Sequence, residues 1–191
     1  MIFLVKKEHF FSTFLLKEEK GMIKHPLKAI LLLVLAVFLL GGCSASFEEE
    51  YKEAVAAVEK EFKETPEDRN KENQDIEYYL PFGFEVDEET PNNLILKNGS
   101  KTYILFYNLQ EGPNSDVVLN ATLQQKEYDM NEHFNEDGKL GYFLVKKLSE
   151  NENEVTIGVG GVKVTSEVKT KNLKSDTEYM MKIANSVKAK K

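Results

Sequence analysis

Few residues in this chain are of a type that does chemistry, and the most sharply placed of them is its only cysteine. Cys43 follows twelve apolar residues, Ala29 to Leu40, and then two glycines, Gly41 and Gly42. No second thiol exists to pair with it, so an internal disulfide, a CxxC motif and a thiolate zinc site are all excluded. What remains is a single nucleophile presented where an apolar stretch ends. The competing reading is a buried structural cysteine behind an ordinary signal or within a membrane helix.

Beyond the thiol the candidates thin out. Imidazoles occur only at His9, His25 and His133, and only His133 lies beyond Cys43. A His-based nucleophilic pair needs a hydroxyl or thiol beside the base, whereas His133 sits in a polar stretch among acids and is expected to be exposed. His133, Asn135, Asp137 and Gly138 imitate the first half of a calcium loop. An EF-hand, however, needs Asp first and a bidentate Glu twelfth, and those places hold His133 and Leu144. Asp129, Asn131 and Asp137 remain only as loose cation ligands. Glu85, Asp87, Glu88 and Glu89 crowd a predicted turn, and nothing in their spacing sets two carboxylates across a sugar. The run Gly158 to Gly161 is too short for a phosphate-cradling loop and leads into a strand. Tyr78, Tyr79, Phe82, Phe84, Tyr103, Phe106 and Tyr107 suit a hydrophobic core, with a pocket for a sugar or lipid as the competing use. The expectation is no catalytic site, no metal and no cofactor.

The surroundings of Cys43 explain the thiol. Residues 1–42 hold six Lys and three Glu, whereas residues 43–191 hold 19 basic against 29 acidic groups. The two parts are built for different environments. An acidic body of that kind is repelled by phosphate backbones, so nucleic acid is not an expected partner. The twelve-residue apolar run is short of the roughly 20 residues that span a bilayer, but it fits the hydrophobic region of a signal peptide. Lys24 and Lys28 supply the positive flank before it, and Gly41 and Gly42 the small-residue exit after it. Counted from Met1 the leader is unusually long, whereas counted from Met22 it has ordinary length. We therefore expect translation to start at Met22, with a long natural leader as the alternative.

Leu40, Gly41, Gly42 and Cys43 resemble the lipobox of bacterial lipoproteins, a Leu-small-small triplet before an obligatory Cys. The resemblance implies diacylglyceryl modification of the Cys43 thiol and cleavage before it by the lipoprotein signal peptidase, which would recognise Leu40, Gly41 and Gly42. Two acyl chains hold a protein stably where one is marginal, at about 0.8 kcal/mol per buried methylene. The expected location is the extracytoplasmic face of a cell membrane, reached through the lipid anchor.

The rest of the chain supplies the elements. In "SFEEEYKEAVAAVEKEFKETPED" the residues Phe47, Tyr51, Val55, Val58 and Phe62 form the stripe of an amphipathic helix, opened by a Ser46/Glu49 capping box and stopped at Thr65-Pro66. Packing on its own domain is the expected role, and a partner-binding arm the alternative. Pro66 to Asp75 reads as a solvated connector. "IEYYLPFGFEV" gives two strands broken at Pro81 and Gly83. Asn98-Gly99 predicts a two-residue hairpin turn in which Leu94 faces Tyr103 and Ile95 faces Thr102, with apolar side chains on both faces. Residues 115–128 are ambiguous between helix and strand; helix is chosen, capped by Asn114 or Ser115. "YDMNEHFNEDGKL" is expected to be a polar loop. Three strands follow, "GYFLVKKLS", "NEVTIGVG" and "GVKVTSEVKT", with turns at Asn151 to Asn153 and Gly160-Gly161. "SDTEYMMKIANSVKAKK" closes the chain as a helix capped by Ser175 and Glu178, with Met180, Ile183, Ala184 and Val187 on one face and lysines at its end.

This order predicts an α+β fold: a largely antiparallel sheet with helices packed on it. The expected division is a signal peptide over 1–42, then the lipidated cysteine, helix and connector over 43–75, and the α+β domain over 76–191. The "YYLPFGFEV" opening, the hairpin behind it and the closing helix resemble the small α/β sandwich of PsbP, a photosystem subunit whose fold bacteria also use in anchored lipoproteins. That resemblance implies a non-catalytic binding or assembly module with a protein or small-ligand partner. Two alternatives from other classes are a small cell-envelope hydrolase and a ligand-binding accessory protein of a transporter. The domain is short for two lobes that close around a solute.

Overall fold

The computed structural model describes residues 46–190. Met22, the apolar run, Leu40, Gly41, Gly42 and Cys43 lie outside the described residues. Helix α1 spans Phe47–Lys63, and its capping box forms as expected: the Glu49 amide donates to Ser46 Oγ at 3.3 Å, and the Ser46 amide donates to Glu49 Oε2 at 3.0 Å. Ala54, Val58 and Phe62 are buried, and Phe47, Tyr51 and Val55 pack against the same core. The helix is thus a layer of the compact unit Ala45–Lys191, not a projecting arm. Among the described residues no helix is long and apolar enough to cross a membrane.

The centre of that unit is a seven-stranded antiparallel sheet. Its strands are β3 (Glu85–Thr90), β4 (Asn93–Asn98), β5 (Lys101–Tyr107), β6 (Met130–Glu136), β7 (Lys139–Lys147), β8 (Glu152–Val159) and β9 (Val162–Lys169), in the spatial order β3-β4-β5-β9-β8-β7-β6. Every connection within the two halves is a hairpin, and only the link from β5 to β6 crosses over. That crossover carries helix α2 (Val117–Gln125). Helix α3 (Leu173–Ser186) follows β9 through a 3-10 turn at Thr170–Asn172. A second, three-stranded sheet joins β1 (Lys71–Glu72), β2 (Ile76–Tyr78) and β10 (Lys188–Ala189) in the order β1-β2-β10. The fold is α+β.

Strand alternation decides which side chains form the core. Leu94, Leu96, Tyr103, Leu105, Phe143, Val145, Val155, Ile157 and Val164 point to one face and are buried beneath α1 and α3. On the opposite face Tyr142 and Leu144 are fully covered, packed with Leu119 of α2, and Thr156 beside them is buried too. Residues Ile95, Ile104 and Phe106 share that second face and stay partly or largely exposed.

Several expectations need correction. The β4–β5 hairpin turns at Gly99-Ser100, so Leu96 faces Tyr103 and Leu94 faces Leu105. Gly99 alone has positive φ, at 59°, as the first central position of a II′-type turn requires. The shift is two residues, an even number, so each side chain keeps its face. The apolar second face of this hairpin is not covered as its composition suggested. The supposed polar loop at Tyr128 to Leu140 is instead strand β6 and a tight Asp137-Gly138 turn, with φ of 49° and 74°. An Asp-Gly turn of the I′ type forces the chain back on itself, and an edge strand open to solvent tolerates the polar residues.

The connector Pro66 to Asp75 contains β1, held by pairing with β2. The turn before β8 lies at residues 148–151, and Asn153 is fully buried within β8, donating to Val168 O and Thr170 Oγ1. Asp116 occupies the N-cap position of α2 without a side-chain cap, while Ser115 Oγ accepts from the Val117 amide. Helix α3 starts at Leu173, so Ser175 and Glu178 lie inside it and do not cap it; the 3-10 turn feeds straight into the helix. That helix stops at Ser186, and Lys188–Ala189 leave it to pair with β2.

Candidate functional site

With one sheet face filled by α1 and α3, the other is left partly open. Helix α2 covers its β7–β8 side and stops at Gln125. Beyond α2 the face opens into a depression of about 700 Å³ lined by Thr102, Ile104, Glu154, Thr165, Glu167 and Lys169, among others. These residues come from β5, β8 and β9, three adjacent strands, and all point the same way by the period of two.

The border with α2 is polar and tied down. Lys126, just past α2, forms an ion pair with Glu154. Lys163 Nζ donates to Thr122 Oγ1 at 3.0 Å and lies 5.6 Å above the Phe106 ring. Burial lowers the Lys163 pKa, and the like charge of Lys126 lowers it further. In the floor, the Thr156 and Thr165 hydroxyls share a hydrogen bond of 3.0 Å. Such a surface offers hydroxyls, the Lys126–Glu154 pair, the further charges of Glu167 and Lys169, and the apolar Ile104 and Phe106. That chemistry suits holding an extended partner by hydrogen bonds and side-chain contact.

The chemistry-bearing residues singled out from sequence do not converge. His133 stands exposed on the edge strand β6. Asp129 and Asp137 lie at opposite ends of that strand, separated by roughly 25 Å at 3.3 Å per residue. Asp129 is already engaged, accepting from the Lys147 amide at 2.7 Å. Glu85, Asp87, Glu88 and Glu89 lie on the other edge strand, β3, where every residue is exposed and Asp87 pairs with Lys97 at 2.8 Å. Among the described residues, no three His, Cys, Asp or Glu side chains gather as a metal site.

The aromatic group divides. Tyr78, Phe84, Tyr103 and Tyr107 are buried in the main core, Tyr79 and Phe106 are half-buried, and Phe82 is fully exposed. Burial, and then the negative Asp176 beside it, push the Tyr103 hydroxyl pKa upward. A smaller depression of about 340 Å³ lies by the end of α3. There Arg69 Nε donates to Ser186 O at 2.8 Å and Lys139 Nζ to Asn185 Oδ1 at 3.2 Å, so both cations are engaged in closing the helix end.

The residues of the open face were not recognised in the sequence. Their signal is the outward half of each alternation, Thr102 and Ile104 against Tyr103, and Lys163, Thr165 and Glu167 against Val164 and Ser166. It became legible only once the strand order put β5, β9 and β8 side by side.

No family model matches the chain, and no curated protein does. Among solved structures, it is similar to cyanobacterial PsbP (CyanoP) from Synechocystis sp. PCC 6803, at 13% identity and a TM-score of 0.36, over 60% of this chain and 86% of that chain. The resemblance is a weak one of fold. Nothing about ligand or partner carries over from it.

Proposed function

We propose that this chain is a lipid-anchored bacterial lipoprotein of the extracytoplasmic membrane face, and that its α+β domain is a non-catalytic binding or assembly module. The observation that carries the binding role is the half-covered sheet: α2 shields the β7–β8 side, while β5, β9 and the start of β8 present Thr102, Ile104, Glu154 and Thr165 to solvent. An open face of hydroxyls, Ile104 and charges of both signs suits a protein or extended ligand better than a small solute. Support for the anchor comes from the sequence alone, in the apolar run and the Leu40-Gly41-Gly42-Cys43 order. In this reading Cys43 carries the diacylglyceryl group and becomes the first residue of the mature chain.

The anchor is tested by feeding cells an alkyne-bearing fatty acid. The wild-type product is expected to carry label and to begin at Cys43, whereas Cys43→Ala should leave an unlabelled, uncleaved precursor. A labelled Cys43→Ala product would refute the assignment. The binding face is tested by a photo-crosslinking residue at Ile104, with Lys52 on α1 as the control position. One recurrent neighbour captured from Ile104 and not from Lys52 is the expected result; equal capture from both would remove the open face from consideration.

A further inference from the structure

Four features meet at one end of the seven-stranded sheet. Strand β7 ends there at Lys147, followed by the exposed Leu148 of the β7–β8 turn. The β4–β5 turn, Gly99-Ser100, lies at the same end, because Asn98 and Lys101 pair across it and Tyr103, two residues on, is level with Ser166 near the end of β9. Helix α1 starts there, with Phe47 lying 3.8 Å below the Lys147 ammonium. Next to the β4–β5 turn is the Pro81 to Phe84 turn, where a Cβ placed on Gly83 would lie 3.7 Å from Asn98 Oδ1.

Phe82 occupies the corner of that last turn and is 103% exposed, the largest exposure of any large apolar side chain among the described residues. It is not displayed by a loose loop. The Phe84 amide closes the turn on Pro81 O at 3.1 Å, and Gly83 takes the positive φ, 86°, that this turn needs. Asn70 clamps the residue before the turn, its Oδ1 accepting from the Leu80 amide at 2.8 Å and its Nδ2 donating to Leu80 O at 3.0 Å. Phe84 anchors the other side, its ring 5.0 Å from Tyr103 in the core. The ring is therefore presented to solvent by a backbone that is fixed on both sides of it.

The chain outside the described residues says what that surface is. Cys43 is three residues before Ser46, a reach of at most about 10 Å. This inference rests on the lipid anchor proposed above: if Cys43 is acylated, the sheet end that α1 leaves is held within that distance of the bilayer. Phe82 stands at the same end, five strand spacings from β7, or roughly 24 Å. We infer that this end of the sheet lies against the membrane, with Phe82 inserted among the lipid headgroups as a second contact and Leu148 near the first. Two contacts that far apart fix the tilt of the domain: the Ser100, Lys169 and Lys171 end of the open depression is turned to the bilayer, and its Ile104 and Thr165 part stands away from it, free to meet a partner from the side. Charge does not drive the contact. The end carries Lys147, Lys169 and Lys171 but also Glu48, Glu49, Glu50 and Glu150, so the attraction is apolar and little affected by salt.

The chain contains no tryptophan, so Phe82→Trp introduces a sole indole, excited selectively beyond the tyrosine absorption, at a position whose exposure spares the fold. The lipidated variant, isolated from membranes, is reconstituted into vesicles of phosphatidylglycerol and phosphatidylethanolamine containing acyl-brominated phosphatidylcholine. The expected result is blue-shifted emission quenched by the brominated lipid, unchanged between low and high salt. Emission of a water-exposed indole without quenching, in protein whose mass shows acylated Cys43, overturns the membrane contact and leaves the anchor standing. Blue-shifted emission that brominated lipid does not quench assigns Phe82 to a protein partner and likewise overturns it. Quenching that salt abolishes overturns the apolar contact. Protein without acyl mass on Cys43 refutes the anchor reading, and this inference with it.

Discussion

The two faces of the seven-stranded sheet are made by the same strands yet do different work. Beneath α1 and α3, alternate residues from Leu94 to Val164 interlock as one dry core. On the other face a nine-residue helix packs over Tyr142 and Leu144, and the β5–β9 side stays open, with Ile95, Ile104 and Phe106 among its polar residues. The helices cause the difference. α1 and α3 present full apolar stripes, whereas α2 buries only Val118, Leu119 and Thr122. A sheet with one closed face is stable with the other available, which is the condition for a rigid binding surface.

That contrast can be broken most sharply at Phe143, which is fully buried and stacks on Tyr51 at 5.6 Å. Phe143→Ala should cost about 4 kcal/mol in denaturant unfolding, as large core truncations do. Next comes the ion pair that ties α3 to the β4–β5 hairpin: Lys101 Nζ lies 2.6 and 2.8 Å from the Asp176 carboxylate, which is 3% exposed. Lys101→Met should cost roughly 3 kcal/mol, because it strands the buried Asp176 carboxylate, and Asp176→Ala less, because the Lys101 ammonium it leaves is a third exposed and can reach water. At Gly141 a Cβ would lie 2.8 Å from the Phe62 ring. Gly141→Ala should therefore force α1 away from the sheet at about 2 kcal/mol, measurable as a lower melting temperature.

The second face has smaller stakes. Burial, and then Tyr128 beside it, hold the Tyr142 hydroxyl pKa far above its ordinary value of 10.0. Unfolding restores that ordinary value, so this group's stabilisation is complete below pH 10 and is lost as pH climbs toward the folded value. Tyr142→Phe should give up about 1 kcal/mol near neutrality, through the lost bond to Val162 O, yet raise the midpoint of alkaline unfolding. Ile104→Ala should change stability by no more than about 0.5 kcal/mol. If it instead approached the Phe143 effect, the two faces would not differ as described.

How much of this was legible beforehand varied with how local the signal was. The Ser46/Glu49 box and the stripe beginning at Phe47 are contained in a few turns of helix, and α1 forms as they predict. The Gly160-Gly161 turn and the three strands around it are equally local. Asp137-Gly138 carried an equally good turn signal but was hidden by the polar residues of β6, whose edge position removes the usual apolar alternation. The hairpin register differs by two from the one an Asn98-Gly99 turn predicts, because only Gly99 adopts positive φ and the turn centres on Gly99-Ser100.

By itself the sequence determined the α+β class, the amphipathic first helix and which residues of each strand are apolar, because helix and strand periodicity are properties of neighbouring residues. The neighbour order β3-β4-β5-β9-β8-β7-β6, the uncovered face and the rigid display of Phe82 were decided by the tertiary structure. Each depends on pairing between segments far apart in the chain, where burial of one surface against another outweighs any local preference.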